Sequence, residues 1–243
     1  MRGVYELAKV ELSLFLREPV AVFFTFVFPS LLLVLYGAMF GSYEGYLEYE
    51  VPSLFAMVIL TMGMMGIPSG IGQEKEEGVL KRLRMTPLPS WGYPVAWSVV
   101  YLVVTVLGGL LLYVVAMVGY GMRGPVNGVG FGVGFFLGAL CFLMWGAVVG
   151  LVFRRARTAS IVGMVCFFPQ LFLSGATFPW DMVPPGLRAV GELFPMRHLV
   201  VVLQGAWRGE VGWGRAAWGL VVWCVVGFVG AVGAWLRVRG DER

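Results

Sequence analysis

The stretch GPVNGVGFGVGFFLGALCFLMWGAVVGLVF, Gly124–Phe153, has no Asp, Glu, Lys or Arg in 30 consecutive residues. A helix crosses about 30 Å of hydrocarbon in about 20 residues. A charge at its centre costs about 2.5–3.5 kcal/mol on insertion scales. The window is therefore long and clean enough to span a bilayer. Five others are comparable: Pro19–Tyr43, Val51–Gln73, Met85–Met122, Thr158–Trp180 and Ala216–Leu236. None shows the short alternating segments of a membrane barrel. A backbone in lipid must satisfy its own hydrogen bonds, so the spans are expected to be helical. The expected fold is all-α and integral to the membrane. Six transmembrane helices are placed at about 20–41, 51–71, 94–118, 129–153, 158–176 and 215–237, in a single membrane domain over 1–243.

Composition agrees. Of 243 residues, 59% are apolar and 13% charged, against about 25% charged in an ordinary soluble domain. Mean hydropathy is +0.83. A soluble globule could not cover its surface with so few polar side chains, and a disordered chain is not this apolar. Many of the 35 glycines sit inside the windows, where they allow close helix–helix approach. Cys141, Cys166 and Cys224 also fall there and read as small apolar residues, neither a disulfide framework nor a metal cluster. The pI is about 9.1. Basic residues at span ends suit anionic membrane lipids rather than nucleic acid.

Orientation follows the Lys/Arg bias of short loops. With the N-terminus in the cytoplasm, 13 of the 18 Lys/Arg lie inside. Arg123, Arg188, Arg197, Arg208 and Arg215 lie outside, and Glu44, Glu48 and Glu50 make the first outer loop acidic. Both termini are expected to be cytoplasmic. Residues 1–18 are expected to form an interfacial helix. Val4, Leu7, Ala8, Leu12, Phe15 and Leu16 recur at helical spacing opposite Glu6, Lys9, Ser13 and Arg17. Pro19 should redirect the chain. Early acidic residues and a long apolar run argue against a cleavable signal.

The most charged stretch is Gln73–Pro89, between spans two and three. Acids lead and bases follow, which suits a helix dipole. Val79, Leu80 and Leu83 make a narrow apolar stripe, and Thr86-Pro87-Leu88-Pro89 stops the helix. The expectation is a short, rigid, charged helix held between two spans, able to carry force from a soluble partner. No GxxxxGK[ST] motif is present, so no nucleotide site is visible in the chain itself.

Glu74-Lys75-Glu76-Glu77-Gly78-Val79-Leu80-Lys81-Arg82-Leu83, followed by Thr86-Pro87, resembles the loop of ABC-2-type transporter permeases, the membrane subunits of ABC exporters. Val79 departs from the family pattern, where Thr is usual. The resemblance continues at Leu173-Ser174-Gly175-Ala176-Thr177-Phe178-Pro179 and at Leu193-Phe194-Pro195, and covers nearly the whole chain. It implies two permease chains, identical or paralogous, paired with two separate ATP-binding subunits in the plasma membrane. ATP and Mg would be bound by those subunits, with no cofactor in this chain. It implies a cytoplasmic coupling helix with Glu74, Glu77, Gly78, Arg82, Thr86 and Pro87 as coupling residues. Electrostatic docking falls to the charges, close backbone approach to Gly78 and rigid transmission to Pro87. Substrates of such exporters include drugs, antibiotics, lipid-linked polymers and ions. A hydrophobic drug, lipid or glycolipid fits the greasy composition.

From Phe167 to Trp207 the chain is irregular, interrupted by Pro169, Pro179, Pro184, Pro185 and Pro195, with Gly175 able to cap a helix end. His198–Trp207 is apolar but too short to span. Short re-entrant helices between spans five and six are expected, forming an outer gate with Gly175, Phe178, Pro179, Phe194 and Pro195. Catalysis fits poorly. Glu76-Glu77 has no correctly spaced Arg and His198 is the only histidine, so a metalloprotease is excluded. A Ser174–His198 dyad lacks an orienting third group. The rival is an ATP-independent channel or secondary transporter. The latter usually carries ionisable groups within its spans, and none is expected here.

Overall fold

In the computed structural model, residues 12, 13, 15, 19–43, 45–78, 92–178, 180–210 and 212–241 are described. Most of these are helical, with no strand among them. Six helices are long and apolar enough to cross a membrane. α1 runs through Pro19–Val22, Phe23–Val27 and Phe28–Phe40. α2 runs through Tyr46–Thr61, Met62–Gly66 and Ile67–Glu76. α3 is Gly92–Tyr120, α4 Gly128–Val152 and α5 Ala156–Leu173. Two shorter helices, α6 (Pro185–Gly191) and α7 (Pro195–Arg208), precede α8, Gly214–Asp241. Of the expected interfacial helix, Leu12, Ser13 and Phe15 are described and helical. Phe15 is buried, edge-on to Phe26 at 6.5 Å and Tyr101 at 6.3 Å. The rest lies outside the described residues.

The expected and observed spans differ most at α2. It begins five residues before the expected start and ends five after the expected end. Both extensions carry charge, which is why a charge-free window misses them. At one end Glu50 is 1% exposed, and its Oε1 has no hydrogen-bond partner among the described residues. The expectation that no ionisable group lies inside a span is therefore corrected. At the other end Glu74, Lys75 and Glu76 form the last turn of α2 rather than the start of a loop helix.

α2 is the central helix. It touches α1, α3, α4, α5 and α7, and 89% of its most apolar window is buried, against 28% for α8. Two crossings are backbone-close. A Cβ at Gly146 of α4 would strike the Gly63 carbonyl of α2, and one at Gly163 of α5 would strike the Met64 carbonyl. Residues this small let helices meet where larger ones would hold them apart. Both carbonyls lie in the π-helical segment Met62–Gly66. A second π segment, Phe23–Val27, faces it from α1, and buried Thr25 Oγ1 donates to Met62 Sδ at 3.1 Å. Such wide turns often mark functional positions.

α5 continues through Pro169, although that residue has no N–H for the Val165 carbonyl; the expected interruption there is not seen. α5 stops at Leu173, and Gly175 follows at φ +81°, a left-handed turn that ends a helix without a Cβ penalty. Pro185 and Pro195 each open a helix, where their missing N–H costs nothing. α7 is nearly enclosed: Met196, Leu199, Val200, Leu203 and Ala206 are all at 0% exposure, against α2, α4 and α8.

Candidate functional site

The end of the bundle where α2 and α4 finish and α5 begins carries the charged site. A helix leaves its last carbonyls without partners and so presents partial negative charge there. Lys75 Nζ donates to Leu151 O at 2.6 Å, Phe153 O at 2.8 Å and Gly150 O at 3.4 Å, capping α4. The start of α5 has the opposite need. Glu76 Oε1 accepts the Ala156 N–H at 2.9 Å. Adjacent residues of α2, one base and one acid, thus clamp both sides of the α4–α5 turn. The base-acid order of Lys75-Glu76 follows from that geometry, since the base serves a helix C-terminus and the acid an N-terminus.

The expected coupling residues divide. Glu74 is 4% exposed, inside the bundle. Glu77 is exposed at the C-cap of α2. Gly78 follows at φ +70°, with no described residue within 4 Å of where a Cβ would stand. Its backbone makes a left-handed stop there. Arg82, Thr86 and Pro87 lie outside the described residues. Lys75 and Glu76 were absent from the sequence-based set. Their signal, opposite charges next to each other at a span end, is legible only once α4 and α5 are known to end beside them.

At the opposite end, α7 and the segment before α6 close over α2. Tyr49 Oη donates to Gly175 O at 3.3 Å and accepts the Trp180 N–H at 3.3 Å. The Arg197 guanidinium lies 3.7 Å from the centroid of Trp180 and donates to Ser174 O at 3.2 Å. Buried Gln204 donates to Ser53 Oγ at 2.8 Å. Of the expected gate residues, Gly175 and Pro195 are buried, Phe194 is half-buried, and Phe178 is 52% exposed, stacked near Phe172 at 6.3 Å. Pro179 is outside the described residues. The Ser174–His198 pair is not assembled. Ser174 Oγ donates to Leu171 O and accepts from Ala176 N, while the His198 ring lies against Gly219. Burial lowers the His198 pKa, opposed by a hydrogen bond to the Glu192 backbone.

Six long apolar helices, one of them packed against four of the others, define a multi-pass helical membrane protein. The chain belongs to the ABC-2 transporter family: the family described as ABC-2 family transporter protein matches residues 38–236. Its relatives are permeases. It is 26% identical over 242 residues to the daunorubicin resistance ABC transporter permease protein DrrB1 of Streptomyces coeruleorubidus, covering 93% of this chain and 81% of that one. It is 26% identical over 162 residues to the putative transport permease YvfS of Bacillus subtilis strain 168, covering 66% of this chain and 62% of the relative. With the probable multidrug ABC transporter permease YbhR of Escherichia coli K12 it shares 29% over 184 residues, 67% of this chain but 45% of that protein.

Proposed function

We propose that the chain is the permease subunit of an ATP-driven exporter, moving a hydrophobic drug, lipid or glycolipid out of the cytoplasm. Power comes from a separate ATP-binding subunit, which holds ATP and Mg. This chain contributes no cofactor and no catalytic group. Two permease chains, identical or paralogous, pair in the plasma membrane with both termini cytoplasmic. Residues 1–243 act as one membrane domain.

The observation that carries this reading is the Lys75–Glu76 clamp. The segment 79–91 leaves α2 immediately after it. A push on that segment moves the end of α2, and through the clamp the ends of α4 and α5 move with it. Glu77 stands at the exit, exposed, as an electrostatic contact for the partner. Arg82, Thr86 and Pro87 extend that contact, and Glu74 braces it from inside. The names of DrrB1 and YbhR, a drug-resistance and a multidrug permease, favour a drug-like substrate. At the other end, Gly175, Phe178, Pro179, Phe194 and Pro195 form an outer gate, with α6 and α7 dipping back as re-entrant helices. Glu77→Arg should insert normally yet transport nothing on ATP hydrolysis; normal ATP-driven transport by this variant would exclude Glu77 from coupling.

One observation favours a second reading, an ion-coupled secondary transporter. Glu50 is a buried carboxyl inside α2, the kind of group that carries protons or cations through a membrane. Transport persisting after ATP depletion, and lost in Glu50→Gln, would support it over the exporter.

A further inference from the structure

Near the charged end, a cavity of about 370 Å³ opens between α3 and α8, over α4. An apolar cavity of about 150 Å³ already holds benzene, so this one has room for a longer chain. Its floor is Ile71, Leu143, Ala147 and Leu151, all buried. Its rim includes Val99 at 50% and Phe228 at 57% exposure, so it opens sideways, where a bilayer would be, rather than along the bundle axis.

The wall is apolar with one exception. Ser98 lines the cavity, but its Oγ donates to Pro94 O at 2.7 Å. Trp97 also lines it and is 3% exposed, and its Nε1–H has no partner among the described residues. Tyr101 holds the indole, ring centroids 5.0 Å apart. That nitrogen is itself buried and closed off from the cavity. The occupant is therefore a long apolar chain.

Position narrows the class. Trp97 lies five residues into α3 and Trp235 six from the end of α8. At 1.5 Å per residue, both stand roughly 8–9 Å inside the helix ends. That depth, where indoles are enriched, is where a fatty chain meets its ester. Beyond it the same end of the bundle exposes Arg154, Arg155, Arg157 and Arg237, and such residues attract anionic headgroups.

We propose that this cavity is a binding site for an anionic glycerophospholipid of the surrounding bilayer, one acyl chain in the cavity and the headgroup toward Arg154, Arg155, Arg157 and Arg237. The proposal is independent of the exporter reading. The test uses the full chain in phosphatidylcholine nanodiscs doped with phosphatidylglycerol carrying a photoactivatable acyl chain. Peptides are mapped by mass spectrometry after illumination. Adducts should concentrate on the lining residues of α3, α4 and α8, above exposed controls such as Val114 and Phe136. Ala147→Trp fills the floor and should abolish the enrichment; Val232→Trp at the rim does the same with less risk to folding, and size-exclusion chromatography selects the variant that folds. Equal labelling of lining and control residues would reduce the site to ordinary annular lipid and overturn the proposal. So would enrichment that survives the filling variants. A Val99→Cys protein that forms disulfide dimers without lining adducts would place a second copy there and overturn it as well.

Discussion

Replacing Lys75 with Met removes the ammonium and keeps a side chain of similar length. Three carbonyls at the end of α4 lose their donor, two of them within 2.8 Å. A charged hydrogen bond contributes about 1.5–3 kcal/mol, and a cation at a helix C-terminus about 0.3–1 kcal/mol. Lys75 is half-buried, so solvent takes over part of the loss. A net effect of about 2 kcal/mol is expected, roughly a thirtyfold change in the local opening equilibrium. Hydrogen exchange of the purified protein reads this directly. The amides near residues 150–153, including Phe153 N–H on Val149 O, should exchange about thirtyfold faster. Amides in the middle of α4 and in α7 should not change. Lys75→Arg should restore most of the protection. Unchanged exchange at 150–153 in Lys75→Met would refute the clamp, and with it the transmission of force from α2 to α4.

Three more outcomes follow from packing and charge. Gly146→Leu should separate α2 from α4 and lower the thermal midpoint by several degrees, because the Gly63 carbonyl leaves no room; an unchanged midpoint in a fluorescence-detected size-exclusion scan would contradict the crossing. Glu50→Gln should leave thermal stability nearly unchanged, since a buried carboxyl without a partner on Oε1 takes up a proton and is already neutral; a large loss would mean that the group is an ionised carboxylate with a stabilising partner. His198 is held neutral by burial, its pKa lowered in the fold. Its unfolded form takes up the proton first as pH falls below about 6.5, so its contribution to stability is present above that value and lost toward lower pH. His198→Gln should flatten the thermal midpoint between about pH 7 and 5 relative to wild type; an identical slope would assign the pH dependence to another group.

Six spans were legible because lipid excludes charge and leaves long clean windows. The ends of α2 were not, for the converse reason. Glu50 is enclosed by the bundle, and Lys75 and Glu76 are answered by helix termini of α4 and α5, so charges that look like loop sit in helix. Which span lies at the centre was equally hidden. Hydropathy rewards lipid and protein surroundings alike, and the central α2, at 1.8, is less hydropathic than the peripheral α8, at 2.1. The glycines held the missing information, but only the pairing of Gly146 with Gly63 and Gly163 with Met64 turns them into a packing statement. At the opposite end, Gly175 was readable as a helix stop from its backbone chemistry, while Pro195, which read as an interruption, opens a helix. The contacts of Tyr49 with Gly175 and Trp180 join residues more than 120 apart in the chain, and no local pattern foretells them. Glu74 and Glu77 looked alike in the sequence; three residues of helix put one inside and one outside.

The most direct test of the central claim is to purify the full chain from its native membrane under mild detergent and assay the eluate for ATP hydrolysis. The expected result is a co-purifying ATP-binding subunit whose activity accompanies wild type and is lost, or freed from transport, with Glu77→Arg. Wild type that arrives alone, with no ATPase and with transport that survives ATP depletion, would contradict an ATP-driven permease and move the mechanism to Glu50.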